Sequence, residues 1–230
     1  MHKYTLRIFI AVTVTLISIL IVLKVSPVWA EELKSGDLIF LDLDCGELCD
    51  AIESVTKEQF KVAGPNLSHV GILIKDKDEK GQPTWMVYEA WEKVQKTPLS
   101  TVLERVKNDS TRYRFKRFSE MTPRKEKRLL KKLNAKLSLP YDDHFQLNNK
   151  KYYCSELVAD AFNETFSKKP FTYEPMYFGS PSSEARKTWE VYYRKLNMNV
   201  PAAELGISPL GIFTESKYLN DIAPPITPNL

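Results

Sequence analysis

Along Lys150–Phe166, KKYYCSELVADAFNETF, apolar side chains return at Leu157, Val158, Ala161, Phe162 and Phe166. That spacing predicts one amphipathic helix beginning near Cys154. A period of two governs earlier stretches. In Ser68–Ile74, SHVGILI, the residues Val70, Ile72 and Ile74 fall on one face and His69, Gly71 and Leu73 on the other. In Thr84–Trp91, Trp85, Val87, Glu89 and Trp91 share a face. Both read as strands, as do Leu38–Leu41 after Gly36-Asp37 and Tyr113–Phe118. Helices are expected over Ala51–Phe60, as a turn at Pro98–Arg105, from Thr122-Pro123 with an apolar stripe of Leu129, Leu130, Leu133 and Leu137, and over Ser182–Lys195. Pro170–Leu230 holds eight of the 14 prolines and reads as irregular chain around that last helix. Its aromatic residues suit a segment that wraps the domain and walls a site, with Pro224–Leu230 a loose tail. The elements alone give a mixture of α and β.

The first 30 residues stand apart. A basic start (His2, Lys3, Arg7) precedes the uncharged run Ile8–Leu23, and Val28-Trp29-Ala30 ends in small residues at the positions an export peptidase reads. This predicts a signal peptide, 1–30, cleaved after Ala30, with an uncleaved membrane anchor as the alternative. Removing it takes away Lys3, Arg7 and Lys24 and no acid. The 33 basic residues then become 30 against 29 acidic ones, and the net charge falls from +4 to +1. A nucleic-acid partner is therefore not expected. The basic residues around the Thr122-Pro123 helix form a solvated face or, as the alternative, touch an anionic lipid or glycan of the membrane surface. No internal repeat, glycine-rich phosphate loop or dinucleotide fingerprint appears, and no cofactor is expected.

Export leaves three cysteines in play. Cys45 and Cys49, four apart in DCGELCDAIESVT, read either as a short-range disulfide or as two small buried groups. No second pair of soft ligands accompanies them, so no metal site is expected. Cys154 is the odd thiol. A thiol at a helix start sits among free amides and the positive end of the dipole, which favours thiolate and can hold an oxyanion. A nucleophile needs a base. His69 has a strand beneath it, a glycine beside it and Glu89 on a facing strand. A hairpin symmetric about Glu79 would set 69 opposite 89, with Cβ atoms roughly 4.5–5.5 Å apart, and a slip of two would make them diagonal. His144, ten residues before Cys154, is the rival base.

In order, GDLIF, SHVGILI, VYEA, PYDDHF and YYCSELV resemble the permuted papain-like cysteine hydrolases of the YiiX/YebB-like group, relatives of the NlpC-type cell-wall hydrolases. The resemblance extends to DCGELCDAIESVT and to the pattern at Trp189–Pro209, and so covers nearly all of Leu33–Ile222. It implies an α+β, permuted papain-like (NlpC-type) fold, in which an antiparallel sheet packs against helices with the Cys helix on the sheet. The catalytic domain would run over 31–200, followed by a Pro-rich wrap and tail, 201–230. It implies Cys154 as nucleophile, His69 as general base and Glu89 as the orienting third group, forming a thioester acyl-enzyme. The expected activity is cleavage of an amide in the periplasm or cell envelope, on a peptide or an acyl lipid. An acyltransferase with the same triad and an inactive envelope-binding module are the alternatives.

Overall fold

The computed structural model describes residues 32–78, 80–215 and 217–223, and from Leu33 onward these described residues belong to one compact unit. The expected leader (1–30), Glu79, expected as the hairpin centre, and the tail from Pro224 lie outside the described residues. Among the described residues, no helix is long and apolar enough to cross a membrane.

A six-stranded antiparallel sheet organises the fold. In chain order its strands are β1 (Leu38–Leu41), β2 (His69–Lys77), β3 (Pro83–Ala90), β4 (Val94–Pro98), β5 (Tyr113–Phe118) and, after the two short strands named below, β8 (Leu219–Ile222). Their spatial order is β4-β3-β2-β1-β5-β8. Period-two alternation sorts the side chains onto two faces. Leu38, Phe40, Val70, Ile72, Met86 and Tyr88 join one buried cluster, while Ile39, Leu41, Leu73, Val87 and Phe115 join another. Two apolar faces need two covers. Helix α2 (Leu99–Glu104) packs Leu99, Val102 and Leu103 into the second cluster. Helices α3 (Pro123–Asn134) and α4 (Cys154–Thr165) cover the first, through Leu129 and Leu133 and through Leu157, Val158, Ala161 and Phe162.

Helix α1 (Glu47–Phe60) packs against α5 (Glu184–Lys195) around a third cluster that includes Phe145, Phe178, Trp189 and Tyr193. Cys45 and Cys49 are joined by a disulfide at the start of α1, so the pairing reading holds and Cys154 is the free thiol among the described residues. On α3 the residues Arg124, Lys127, Arg128 and Lys131 are all exposed at helical spacing, a basic outer stripe.

The segment beyond Pro170 is more ordered than its prolines suggest. A two-stranded ribbon joins β6 (Glu174–Pro175) to β7 (Leu205–Gly206), helix α6 (Pro209–Phe213) follows, and β8 adds an edge strand beside β5. The prolines sit where each element tolerates one. Pro209 opens α6, where the missing N–H would be unpaired in any case.

Candidate active site

Cys154 is the first residue of α4, with Tyr153 as its N-cap in extended conformation. Helix α4 lies on β2 and β3, so its start reaches the end of the sheet where β2 begins. His69 is that first residue of β2. The imidazole is buried, hydrogen-bonds Cys154 on one side, and through Nε2 lies 2.7 Å from Glu89 Oε2. With Nε2 engaged, Nδ1 is the nitrogen left for sulfur. The structure thus brings together the three residues expected from the sequence.

The route to that contact differs from the expected register. Ile72 pairs with Tyr88 and Lys77 with Pro83, two residues out of step with a hairpin centred on Glu79. Continued along the strands, this register sets Glu89 opposite Gly71 and His69 opposite Trp91. His69 and Glu89 are therefore diagonal neighbours, not directly opposed ones. Gly71 makes the diagonal workable: a Cβ there would run into Val87 Cγ1 and come within 3.3 Å of the Tyr88 carbonyl and 3.5 Å of Glu89 Cβ. The imidazole meets the Trp91 ring edge-on, centroids 5.3 Å apart.

Glu89 is fully buried and accepts more bonds than the histidine supplies. Arg105 donates to both carboxylate oxygens, Nη1 to Oε2 at 2.8 Å and Nη2 to Oε1 at 2.9 Å, and the Thr97 hydroxyl donates to Oε1 at 2.6 Å. Arg105 also lies 3.9 Å over the Trp91 ring. Neither Arg105 nor Thr97 was picked out in the sequence. Thr97 belongs to β4, a strand that the terminal Pro98 and its polar residues disguise. Pairing Thr97 with Val87 places it on the face of Glu89, diagonal to it. Arg105 was visible only as the residue closing a short helix.

These contacts decide the charges. Burial works against an ionised Glu89, but the bonds and charges of His69 and Arg105 outweigh it and hold the carboxyl at about 2. Burial likewise works against a charged imidazole, yet the hydrogen bonds to Cys154 and Glu89 raise His69 to about 9. At neutral pH the arrangement favours imidazolium between a carboxylate and a sulfur. His144 is elsewhere. It is half-buried in the loop before α4, its amide donating to Asp142 and its carbonyl accepting from Tyr193, with no part in this network.

Cys154 opens into a cavity of about 290 Å³. Its wall is mainly apolar, including Val55, Phe60, Phe145, Phe171, Phe178 and Trp189. The segment after Pro170 supplies much of the wall, through Met176 and the stretch around Ile207. Ile207 is held at both ends of its peptide unit. Its N–H donates to the Tyr153 hydroxyl at 3.1 Å, and its carbonyl accepts from the Ser155 hydroxyl at 2.6 Å. The residues on either side of Cys154 thus fix the wall that faces it.

Residues 32–206 match the family described as permuted papain-like amidase enzyme, YaeF/YiiX, C92 family. No curated protein matches the chain. The crystal structure of metalloprotein yiiX from Escherichia coli O157:H7 has a TM-score of 0.68 and 22% identity, covering 85% of this chain and 98% of that one. At that identity the likeness is one of fold. Among the described residues here, no three His, Cys, Asp or Glu side chains converge as a metal site would require.

Proposed function

The chain belongs to the permuted papain-like amidase family, and from that premise we propose that it is an exported cysteine hydrolase that cleaves an amide of the cell envelope. The observation that carries the reading is the chain of contacts Glu89–His69–Cys154, in which a paired imidazole meets the one free thiol at a helix start. The thiolate attacks the substrate carbonyl. The tetrahedral adduct collapses, the C–N bond breaks, and the leaving nitrogen takes the proton held by His69. The thioester that remains is attacked by water, from which His69 removes a proton, and Cys154 is restored. Glu89 holds the imidazole and stabilises its charge without itself taking the proton. Export rests on the composition of residues 1–30.

The apolar cavity favours a second reading within the same chemistry. A wall built from Val55 and the aromatic rings of Phe60, Phe145, Phe171, Phe178 and Trp189 suits a fatty acyl group better than a polar peptide. An acyltransferase differs from the hydrolase only in the acceptor, an amine or hydroxyl in place of water. The basic stripe of α3 is suited to an anionic membrane surface that would present such a substrate.

The test is to trap the acyl-enzyme of purified protein from a cell-envelope extract and weigh the adduct on Cys154. A peptide adduct supports the amidase and a fatty acyl adduct the lipid enzyme. A thiol that takes up no acyl group, from this extract or from an activated ester, would show a binding module and sink the thioester mechanism.

A further inference from the structure

The proton in the hydrogen bond between Glu89 and Nε2 of His69 has two places to sit. On the imidazole, it leaves a carboxylate on one side and a cation that stabilises a thiolate on the other. On the carboxyl, it leaves a ring protonated at Nδ1 alone, with no charge to offer the sulfur. Both residues are buried, and burial penalises the two charges together, so the pair by itself leans toward the neutral arrangement.

A second cation on the same carboxylate tips the balance. A carboxylate offers about four lone-pair sites. On Glu89 the imidazole takes one and the Thr97 hydroxyl another, and Arg105 takes the remaining two through Nη1 and Nη2. Every site then faces a donor and none is open to a proton. Arginine itself does not give up its proton inside a protein. The side chain is held at both ends. Its backbone closes α2, the N–H donating to the Val102 carbonyl at 3.3 Å, with Leu103 and Val106 buried on either side. Its guanidinium rests on the Trp91 ring, the ring that the imidazole also meets. Arg105 is therefore packed against the two residues, Glu89 and Trp91, that flank the base.

We propose that Arg105 is a positioning residue that acts through Glu89: it keeps this carboxylate anionic, so that the proton of the Glu89–His69 bond stays on the ring and an imidazolium faces Cys154. The inference deepens the thioester reading above and rests on it. In acylation Nδ1 gives its proton to the leaving nitrogen, and in deacylation Nδ1 takes one from water. Through both steps Nε2 keeps its proton and Glu89 remains an acceptor. No proton passes to Glu89 or from Arg105. Among the described residues, the charged and titratable groups that act on the pair come from two elements, Cys154 at the start of α4 and Arg105 at the end of α2.

Arg105→Met keeps most of the stem and removes the charge, while Arg105→Lys keeps the charge and removes the fork. The readout is the pH at which Cys154 becomes half-reactive toward iodoacetamide, which reports the thiolate and requires no acyl transfer. With the imidazolium weakened, this midpoint is expected to rise by about 1–2 pH units in Arg105→Met, and Arg105→Lys is expected to return most of the way to wild type. Nitrogen NMR of histidine-labelled wild-type protein at pH 7 should show protons on both ring nitrogens of His69. An unchanged midpoint in Arg105→Met, or equal shifts in the two variants, overturns the proposal and leaves the thioester reading standing. If Arg105→Met does not fold, the other two measurements decide: a neutral His69 ring in the wild type, or a full shift in Arg105→Lys, overturns it. Wild-type protein that alkylates at Cys154 but takes up no acyl group from p-nitrophenyl hexanoate overturns the thioester reading instead, and with it the catalytic sense of this inference.

Discussion

The sheet side and the helix side of the site each bury a glutamate, and the two carry opposite charge states. Glu89, in β3, is fully buried yet held at about 2, because His69, Arg105 and Thr97 between them satisfy both oxygens. Glu156, two residues after Cys154, is 2% exposed and pushed up to about 8. Burial is the first cause, and the nearby negative charges of Asp160 and Asp142 add to it. One of its oxygens bonds the Tyr153 amide in the manner of a capping box, and Oε2 has no partner. Burial alone therefore fixes nothing about a carboxyl. The partners decide, and here they leave the sheet side charged and the helix side near neutral beside Cys154.

That contrast can be broken from either side. The largest effect is expected from Cys154→Ala, which should abolish turnover and acyl-enzyme formation by mass spectrometry while leaving the melting temperature close to wild type. Glu89→Gln comes next. It should cut the turnover rate on the order of 10–1000-fold and, by leaving the Arg105 guanidinium buried against a neutral group, cost about 3 kcal/mol in urea denaturation. Because Glu89 is one of the groups that raise His69 to about 9, the alkaline limb of the pH–rate profile is expected to move to lower pH than in the wild type. An unchanged limb would show that the carboxylate does not set the imidazole.

Gly71→Ala tests the close packing beneath the diagonal contact. The added Cβ meets Val87 and the Tyr88 carbonyl, so about 1–3 kcal/mol of stability should be lost, with activity falling as His69 and Glu89 part. On the helix side, Glu156→Gln should stabilise the protein at pH 9 by on the order of 1–2 kcal/mol and change little at pH 4. Glu156 is raised in the fold, so its contribution is intact below its unfolded value near 4.5 and is lost as pH rises through about 8. His69 is raised as well, and its contribution is intact below about 6.5 and lost as pH rises through about 9. Equal gains for Glu156→Gln at both pH values would show packing in place of charge. The smallest effect belongs to His144→Ala, expected within a factor of two of wild type in turnover because the loop uses only its backbone.

The parts that sequence made legible are those where one residue's type and period suffice. Cys154 at a helix start, His69 and Glu89 on alternating strands, and the helix over Ser182–Lys195 follow from local pattern. What stayed hidden depends on distant pairing. A two-residue slip of a hairpin keeps every side chain on the same face, so hydrophobic alternation cannot distinguish the two registers. Thr97 and Arg105 matter only because β4 folds back beside β3, and Pro98 with Lys96 makes that strand read as loop. β8 was missed for a similar reason. Its middle residues Asn220 and Asp221 are exposed, as suits an edge strand, and only Leu219 and Ile222 are buried.

The double hold on Ile207 has a consequence for how the protein comes into being. Ser155 and Tyr153 reach that one residue across sequence separations of 52 and 54. The helix that begins at Cys154 can form from local contacts, but loop closure of this length is among the later steps of folding. A chain emerging from the ribosome therefore presents the Cys154 thiol before it presents a chamber. The wall that confines a substrate is set only once the stretch around Ile207 has followed and docked. Competence is thereby timed to the near-completion of folding, and a shortened chain ending before that stretch would retain the thiol and lack the enclosure.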